Sequence, residues 1–247
     1  MRTTFVTYLG SENFLPGVLT LRQSLAEHNS REGLEVLLSC KPGRSVSQRL
    51  NDSGCKVRPV SPIENPHSFP DDIRGFRFTY GKLNIFDLVE YEKVVYLDAD
   101  MLIVENIDSL FEKPHMSAVI AGGFLPENAQ WSNFNSGLMV VVPGHDTFAR
   151  ITAAVGHLPS ADKSDQGFLN SFFDSWYAHG HLHLDHKFNV PVDYLDKFAD
   201  PVAVLHYWGA TKPWDLDPWQ IRKIPAPKHK QAVLLWWDCY HRYRLNL

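Results

Sequence analysis

The sequence predicts an α/β protein with a mostly parallel sheet. Short apolar strand patterns alternate with helix-period segments over the first half of the chain. The apolar run Lys93–Leu97 delivers Asp98-Ala99-Asp100 just where a strand should end, and open parallel sheets bind ligands beyond the carboxyl ends of their strands.

Taken in order, Thr3–Tyr8 reads as a first strand, followed by the turn Gly10-Ser11-Glu12-Asn13. A helix then runs to about Glu27, with Val18, Leu21 and Leu25 on one face. Leu34–Cys40 is a second strand, ended by Lys41-Pro42-Gly43. Val46–Leu50 is a short helix and Lys56–Val60 a third strand. A proline-bearing loop leads to a helix over about Lys82–Leu88, then to the strand Lys93–Leu97. Val119 and Gly137–Val142 mark further strands, with a helix near Asp146–Val155. Leu234–Arg244 reads as an aromatic, amphipathic C-terminal helix that packs on the domain or docks on a membrane surface. No repeat or linker divides the chain, so residues 1–247 are expected to form one domain, with a nucleotide-binding half at 1–105 and a sugar and acceptor half at 106–247.

A length of 247 residues suffices for a sizeable core, and 44% hydrophobic with 21% charged residues is ordinary for a globular chain. The net charge of −4 argues against general binding to nucleic acid. Cys40, Cys55 and Cys239 form no Cys-x-x-Cys pair and are odd in number, which favours free thiols. No apolar run reaches membrane-spanning length and no signal-peptide pattern opens the chain, so a cytoplasmic location is expected.

Residues i and i+2 of a strand share a face, so Asp98 and Asp100 can converge on one point. Two such carboxylates repel unless a cation lies between them. Other segments carry chemistry as well. Asn133-Phe134-Asn135-Ser136-Gly137 reads alone as a β-turn, and its amides also suit sugar hydroxyls. Ser164-Asp165-Gln166-Gly167 reads alone as a helix N-cap. Val204-Leu205-His206-Tyr207-Trp208-Gly209-Ala210-Thr211-Lys212 places an imidazole at a strand end, then a permissive glycine, then a lysine suited to phosphate. Lys82 opens a helical segment, with Arg74 and Arg77 upstream. On a strand His179, His181 and His183 would share a face, offering a second metal site, a polar strand face or part of an acceptor cleft.

In their order and spacing these segments resemble glycosyltransferase family 8, the group of glycogenin and galactinol synthase. The likeness runs through Phe5-Val6-Thr7, Gly81-Lys82-Leu83, Tyr96–Asp100, Asn106–Phe111, Phe134–Gly137, Asp165–Asn170 and His206–Trp214. It implies a GT-A nucleotide-sugar fold and a retaining, metal-dependent hexosyltransferase that uses UDP-glucose or UDP-galactose. Asp98, Asp100 and His206 are then the metal ligands. Asp165 and Gln166 lie at the reacting carbon with Asn135 and Ser136, while Gly209, Lys212, Lys82, Arg77 and Ala99 face the rest of the donor. Thr7, Tyr8 and Leu9 sit where the family holds uracil, and Phe14 where an aromatic ring stacks on it. One imidazole with two carboxylates points to Mn2+ ahead of Mg2+.

The resemblance implies a sugar, polyol or glycan acceptor, because the tyrosine segment that glycogenin glucosylates on itself has no clear counterpart around Tyr194. A self-glucosylating primer enzyme is the alternative within the family. Outside it, Val94–Met101 also resembles the first motif of haloacid-dehalogenase phosphatases, although there the motif opens the fold. A non-catalytic sugar-nucleotide-binding protein is the third reading.

Overall fold

The computed structural model describes residues 2–39, 43–68 and 76–245, with the side chains of Phe76 and Arg77 outside that description. Cys40, Lys41, Pro42, Pro70 and Arg74 also lie outside it. The strands are β1 (Thr3–Leu9), β2 (Leu34–Leu38), β3 (Lys56–Pro59), β4 (Lys93–Leu97), β5 (Met101–Ile103), β6 (Ser117–Ile120), β7 (Phe134–Val141), β8 (Val190–Pro191) and β9 (Val204–His206). The α-helices are α1 (Leu15–Glu27), α2 (Arg44–Asp52), α3 (His145–Ala154), α4 (Asp165–Phe172), α5 (Pro218–Arg222) and α6 (Pro227–Leu245).

Six strands form the main sheet in the order β3-β2-β1-β4-β7-β6. The first four run parallel, whereas β7 is antiparallel to both β4 and β6. Strand order reverses at β1, so the carboxyl ends of β1 and β4 flank the topological switch point where such sheets bind ligands. Both faces are covered, and the strands accordingly read as near-continuous apolar runs. Phe5, Val36, Val95 and Leu97 pack under Val18, Leu21 and Leu25 of α1 and Val46 and Leu50 of α2. Their neighbours Val6, Leu37, Val94 and Tyr96 face the other way, against Leu83, Phe86, Ile151 and Phe168.

The segment expected as a helix over Lys82–Leu88 is instead a 3-10 helix from Phe76 to Asp87. Its apolar residues Tyr80, Leu83 and Phe86 recur every three residues and are buried on one row. Side chains three apart eclipse in 3-10 geometry, and this spacing matches it. Gly81 permits the close approach to β1, since a Cβ there would lie 2.1 Å from the Tyr8 hydroxyl.

A second sheet, β5-β9-β8, grows from the end of β4. Its Leu102 and Leu205, with Tyr207, pack on Ala232, Val233 and Trp236 of α6. Trp236 is fully buried. No helix among the described residues is long and apolar enough to cross a membrane. Cys55 and Cys239 are buried free thiols.

The histidine-rich segment is not a strand. Trp176–Ala178 and Gly180–Leu182 are 3-10 turns, His179 and His181 are exposed, and the His183 ring lies against Trp176 at 4.5 Å. A shared strand face for the three imidazoles is therefore ruled out by the local winding.

Candidate active site

Three chain segments meet at the end of β4. Antiparallel pairing sets Leu97 opposite Leu138, and the Asp98 amide donates to Gly137 O at 2.8 Å, which brings Asn135 and Ser136 alongside the aspartates. β5 begins directly after Asp100, and its antiparallel partner β9 sets His206 opposite Met101. The Tyr207 amide donates to Asp100 O at 2.9 Å and locks that register. α4 closes the group from the other side. Ser164 caps it by accepting from the Gln166 amide at 3.1 Å, which leaves the Asp165 carboxylate free to turn inward. Gln166 Oε1 accepts from the Ser136 amide at 3.2 Å.

Asp98, Asp100 and His206 are the one set of potential metal ligands that converges among the described residues, with ligand atoms all within 4.8 Å of one another. His206 Nε2 lies 3.4 Å from Asp100 Oδ1. Two lysines complete the cluster. Lys82 Nζ is 2.9 Å from both Asp98 Oδ1 and Asp165 Oδ2. Lys212 Nζ is bonded to Asp100 Oδ2 and donates to Tyr207 O at 3.0 Å. The Tyr96 hydroxyl donates to Asp98 Oδ1 at 2.7 Å, and Ser136 Oγ donates to Asp165 Oδ2 at 2.7 Å.

Burial and charge oppose each other here, and charge wins. Burial would favour a neutral Asp100, yet Lys212 and His206 hold its carboxyl well below the ordinary carboxylate range. Burial would likewise strip Lys82, yet Asp165 and Asp98 push its ammonium above the usual lysine range. Burial, then the Asp98 charge, raise the Tyr96 phenol far above its ordinary value, so it stays a donor.

The donor set fits a divalent cation. Three carboxylates face two ammonium groups, so the carboxylates outnumber the ammonium groups by one. Gly137 leaves the space between the ligands open. A Cβ there would lie 2.7 Å from His206 Cε1, 2.9 Å from Asn135 Oδ1 and 3.0 Å from Asp98 Oδ2.

The profile of Glycosyl transferase family 8 matches residues 5–217.

The chain belongs to glycosyltransferase family 8. Glycogenin-1 of Oryctolagus cuniculus is 30% identical over 254 residues, covering 96% of this family 8 chain and 74% of that protein. UDP-glucuronate:xylan alpha-glucuronosyltransferase 2 of Arabidopsis thaliana is 31% identical over 232 residues, covering 86% of the chain. The chain spans only 36% of that plant protein's length. Among solved structures, a glycosyltransferase GlyE from Streptococcus pneumoniae superposes with a TM-score of 0.67 at 20% identity, covering 97% of this chain and 61% of that one. An active-site mutant of LgtC superposes with a TM-score of 0.67 at 19% identity, covering 96% and 95%. The fold is the α/β GT-A fold. Family membership sets aside the phosphatase reading of the aspartate pair.

The remaining expected donor residues are less tightly joined. Thr7 Oγ1 is buried without a hydrogen-bond partner at the end of β1. Tyr8 bonds Ser39 Oγ at 2.5 Å, while the Leu9 side chain is committed to the core. Phe14 packs edge-on against Trp214 at 5.7 Å and lies under Lys212 Nζ, 5.7 Å from the ring centre. Ala99 is buried and its carbonyl is crossed closely by Gly17. Gly209 is exposed, with φ of +84°, a conformation that favours glycine. The Arg77 side chain lies outside the described residues.

Two residues of the site went unnoticed in the sequence. Tyr96 shares a strand face with Asp98, so the i, i+2 rule could have found it. Asn189 sits in an irregular segment before β8 and carried no signal, yet it bonds both His206 and Asn135.

Proposed function

We propose that this chain is a retaining, metal-dependent hexosyltransferase that moves glucose or galactose from a UDP-sugar to a hydroxyl of a separate sugar, polyol or glycan acceptor. The convergence of Asp98, Asp100 and His206 beside Lys82, Lys212 and Asp165 carries the reading.

Asp98, Asp100 and His206 would hold the cation, with Mn2+ favoured over Mg2+ because one of three donors is an imidazole. When bound, such an ion supplies Lewis-acid stabilisation of the leaving diphosphate, worth several kcal/mol. Lys212, which now neutralises Asp100, is the mobile cation for the same diphosphate, and Gly209 lets its loop approach. Thr7, Tyr8, Leu9 and Phe14 form the end of the cleft for the uracil base, and Thr7 Oγ1 is an unsatisfied group there. Ala99 and Arg77 complete the donor contacts.

Asn135, Ser136, Asp165 and Gln166 line the sugar. Lys82 and Ser136 both hold Asp165 Oδ2, so one carboxylate oxygen is anchored and the other faces the reacting carbon. This suits an anion that stabilises oxocarbenium-like charge, with the departing phosphate oxygen helping to deprotonate the acceptor hydroxyl. Closure of the Lys212 loop would exclude water, which otherwise takes the sugar.

A separate acceptor is favoured by Tyr194. Its ring is packed edge-on against Trp208 at 5.8 Å within a 3-10 helix (Val192–Lys197), not carried on a free segment. Trp208, 38% exposed and bonded through Nε1 to Asp193, offers the apolar face and neighbouring carboxylate that suit a sugar ring. α6 buries Trp236 and Tyr243, so these rings serve packing, while Leu234 and Leu235 of the same helix are exposed.

The test is UDP release from a panel of UDP-sugars with Mn2+ and simple acceptors. Acceptor-dependent UDP release is expected, and it should be lost with chelator. Binding of UDP-sugar without any turnover across the panel would support the non-catalytic reading instead.

A further inference from the structure

We propose that Asn189 is a positioning residue that fixes the tautomer of His206, through a relay starting at the Gly137 backbone amide. The inference rests on the reading of His206 as a metal ligand. A backbone N–H can only donate, so the Asn135 atom 2.8 Å from Gly137 N is its carbonyl oxygen. The same oxygen lies 2.8 Å from the Asn189 amide, and two acceptors do not face each other, so Asn189 presents its NH2 there. The Asn189 oxygen must then point the other way, to His206 Nδ1 at 2.9 Å. A neutral imidazole facing a carbonyl oxygen carries its hydrogen on that nitrogen. The lone pair of the neutral ring is left on Nε2, which faces the ligand cluster; a second proton placed there, toward Asp100 Oδ1 at 3.4 Å, leaves the Nδ1–H unchanged.

The last two members of the relay are enclosed, and Asn135 is half-buried. Asn189 is 4% exposed and His206 5% exposed, so water does not stand in for a missing partner. The relay therefore converts the fixed polarity of one peptide bond into the choice of ring nitrogen two side chains away. It also orients the ring, because Asn189 precedes β8, the strand that pairs with β9. Metal-bound histidines commonly depend on such outer partners, whose loss costs about 10–100-fold in affinity.

The experiment compares wild type, Asn189→Leu and Asn189→Asp. In metal-free protein, at a pH where imidazole is neutral, 15N NMR of the ring reports the tautomer, with the His206 signals assigned by their loss in His206→Asn. Mn2+ affinity is read separately by the EPR signal of free ion. Wild type should show a protonated Nδ1 and an unprotonated Nε2. Asn189→Leu should lose that signature and bind Mn2+ about 10–100-fold more weakly. Asn189→Asp also accepts from Nδ1 and should keep the Nδ1–H signature, while losing the donor to Asn135 Oδ1 costs part of the affinity. Unchanged tautomer and affinity in Asn189→Leu would overturn the relay, as would loss of the Nδ1–H signature in both variants, which marks a mere packing role. A wild-type Nδ1–H signature with no Mn2+ binding would leave the relay standing and sink the metal reading.

Discussion

His206 Nε2 lies 3.4 Å from Asp100 Oδ1 because a strand pairing, not a local motif, joins them. Removing the imidazole should leave that pairing intact, since its hydrogen bonds are made by the backbone. His206→Ala is expected to weaken Mn2+ binding at least about 100-fold, the upper end of what losing an outer partner costs. UDP affinity should fall with it in a calorimetric titration with metal, and the circular dichroism should not change.

Asp165 is held at the N-terminus of α4 by Lys82 and Ser136, and in the proposed complex it faces the sugar. An interaction made mainly in the transition state shows in kcat. Asp165→Asn should lower kcat by about 100-fold or more, with little change in donor affinity. Equal losses in both would make Asp165 a plain binding residue.

Lys212 serves two anions in turn: Asp100 in the structure described here, and the diphosphate in the proposed complex. Lys212→Met should therefore push two affinities in opposite directions. UDP with metal should bind about tenfold more weakly, while Mn2+ alone should bind more tightly, since no ammonium competes for Asp100. A fall in both affinities would show that Lys212 supports the cation site.

The charge pairing also sets a pH dependence. Folding lowers the Asp100 carboxyl from its ordinary value near 3.8, so its stabilisation is present above that value and is lost as pH falls below it. Asp100→Asn leaves the Lys212 ammonium buried and unpaired, at a cost of about 3 kcal/mol. In chelator, urea unfolding should show that deficit near about pH 6 and a smaller one near about pH 3. A constant deficit would remove the charge explanation.

Gly137 lies between His206, Asn135 and Asp98. Gly137→Ala puts a methyl group against His206, Asn135 and Asp98 at once, and should cost about 1–3 kcal/mol of stability. Its larger effect should be on Mn2+ affinity, which is checked by the same EPR titration.

Much of this was legible in the sequence because it was written in short-range terms. The strand that ends in Asp98, the α1 face and the Ser164 cap each follow from residues within a turn or two of one another. Histidine and lysine were picked out at positions 206 and 212 by order and spacing, yet what joins them to Asp100 is the pairing of β5 with β9, two three-residue strands too short for a periodic signal. The reversed direction of β7 was equally invisible, because alternation reports which face a residue takes and not which way its strand runs. The histidine run misled for a related reason. Alternate spacing was read as a strand, while Gly180 and the Trp176 ring settle the segment into turns.

The small sheet that carries His206 is held from outside by α6, whose Trp236 is wholly enclosed against it. Trimming that ring to alanine removes packing worth about 3–5 kcal/mol. The C-terminal helix touches no proposed ligand, but it is the clamp that keeps the two sides of the proposed cation site in register. Damage there should be felt first as a leaky grip on metal, in a protein whose six-stranded sheet still melts normally.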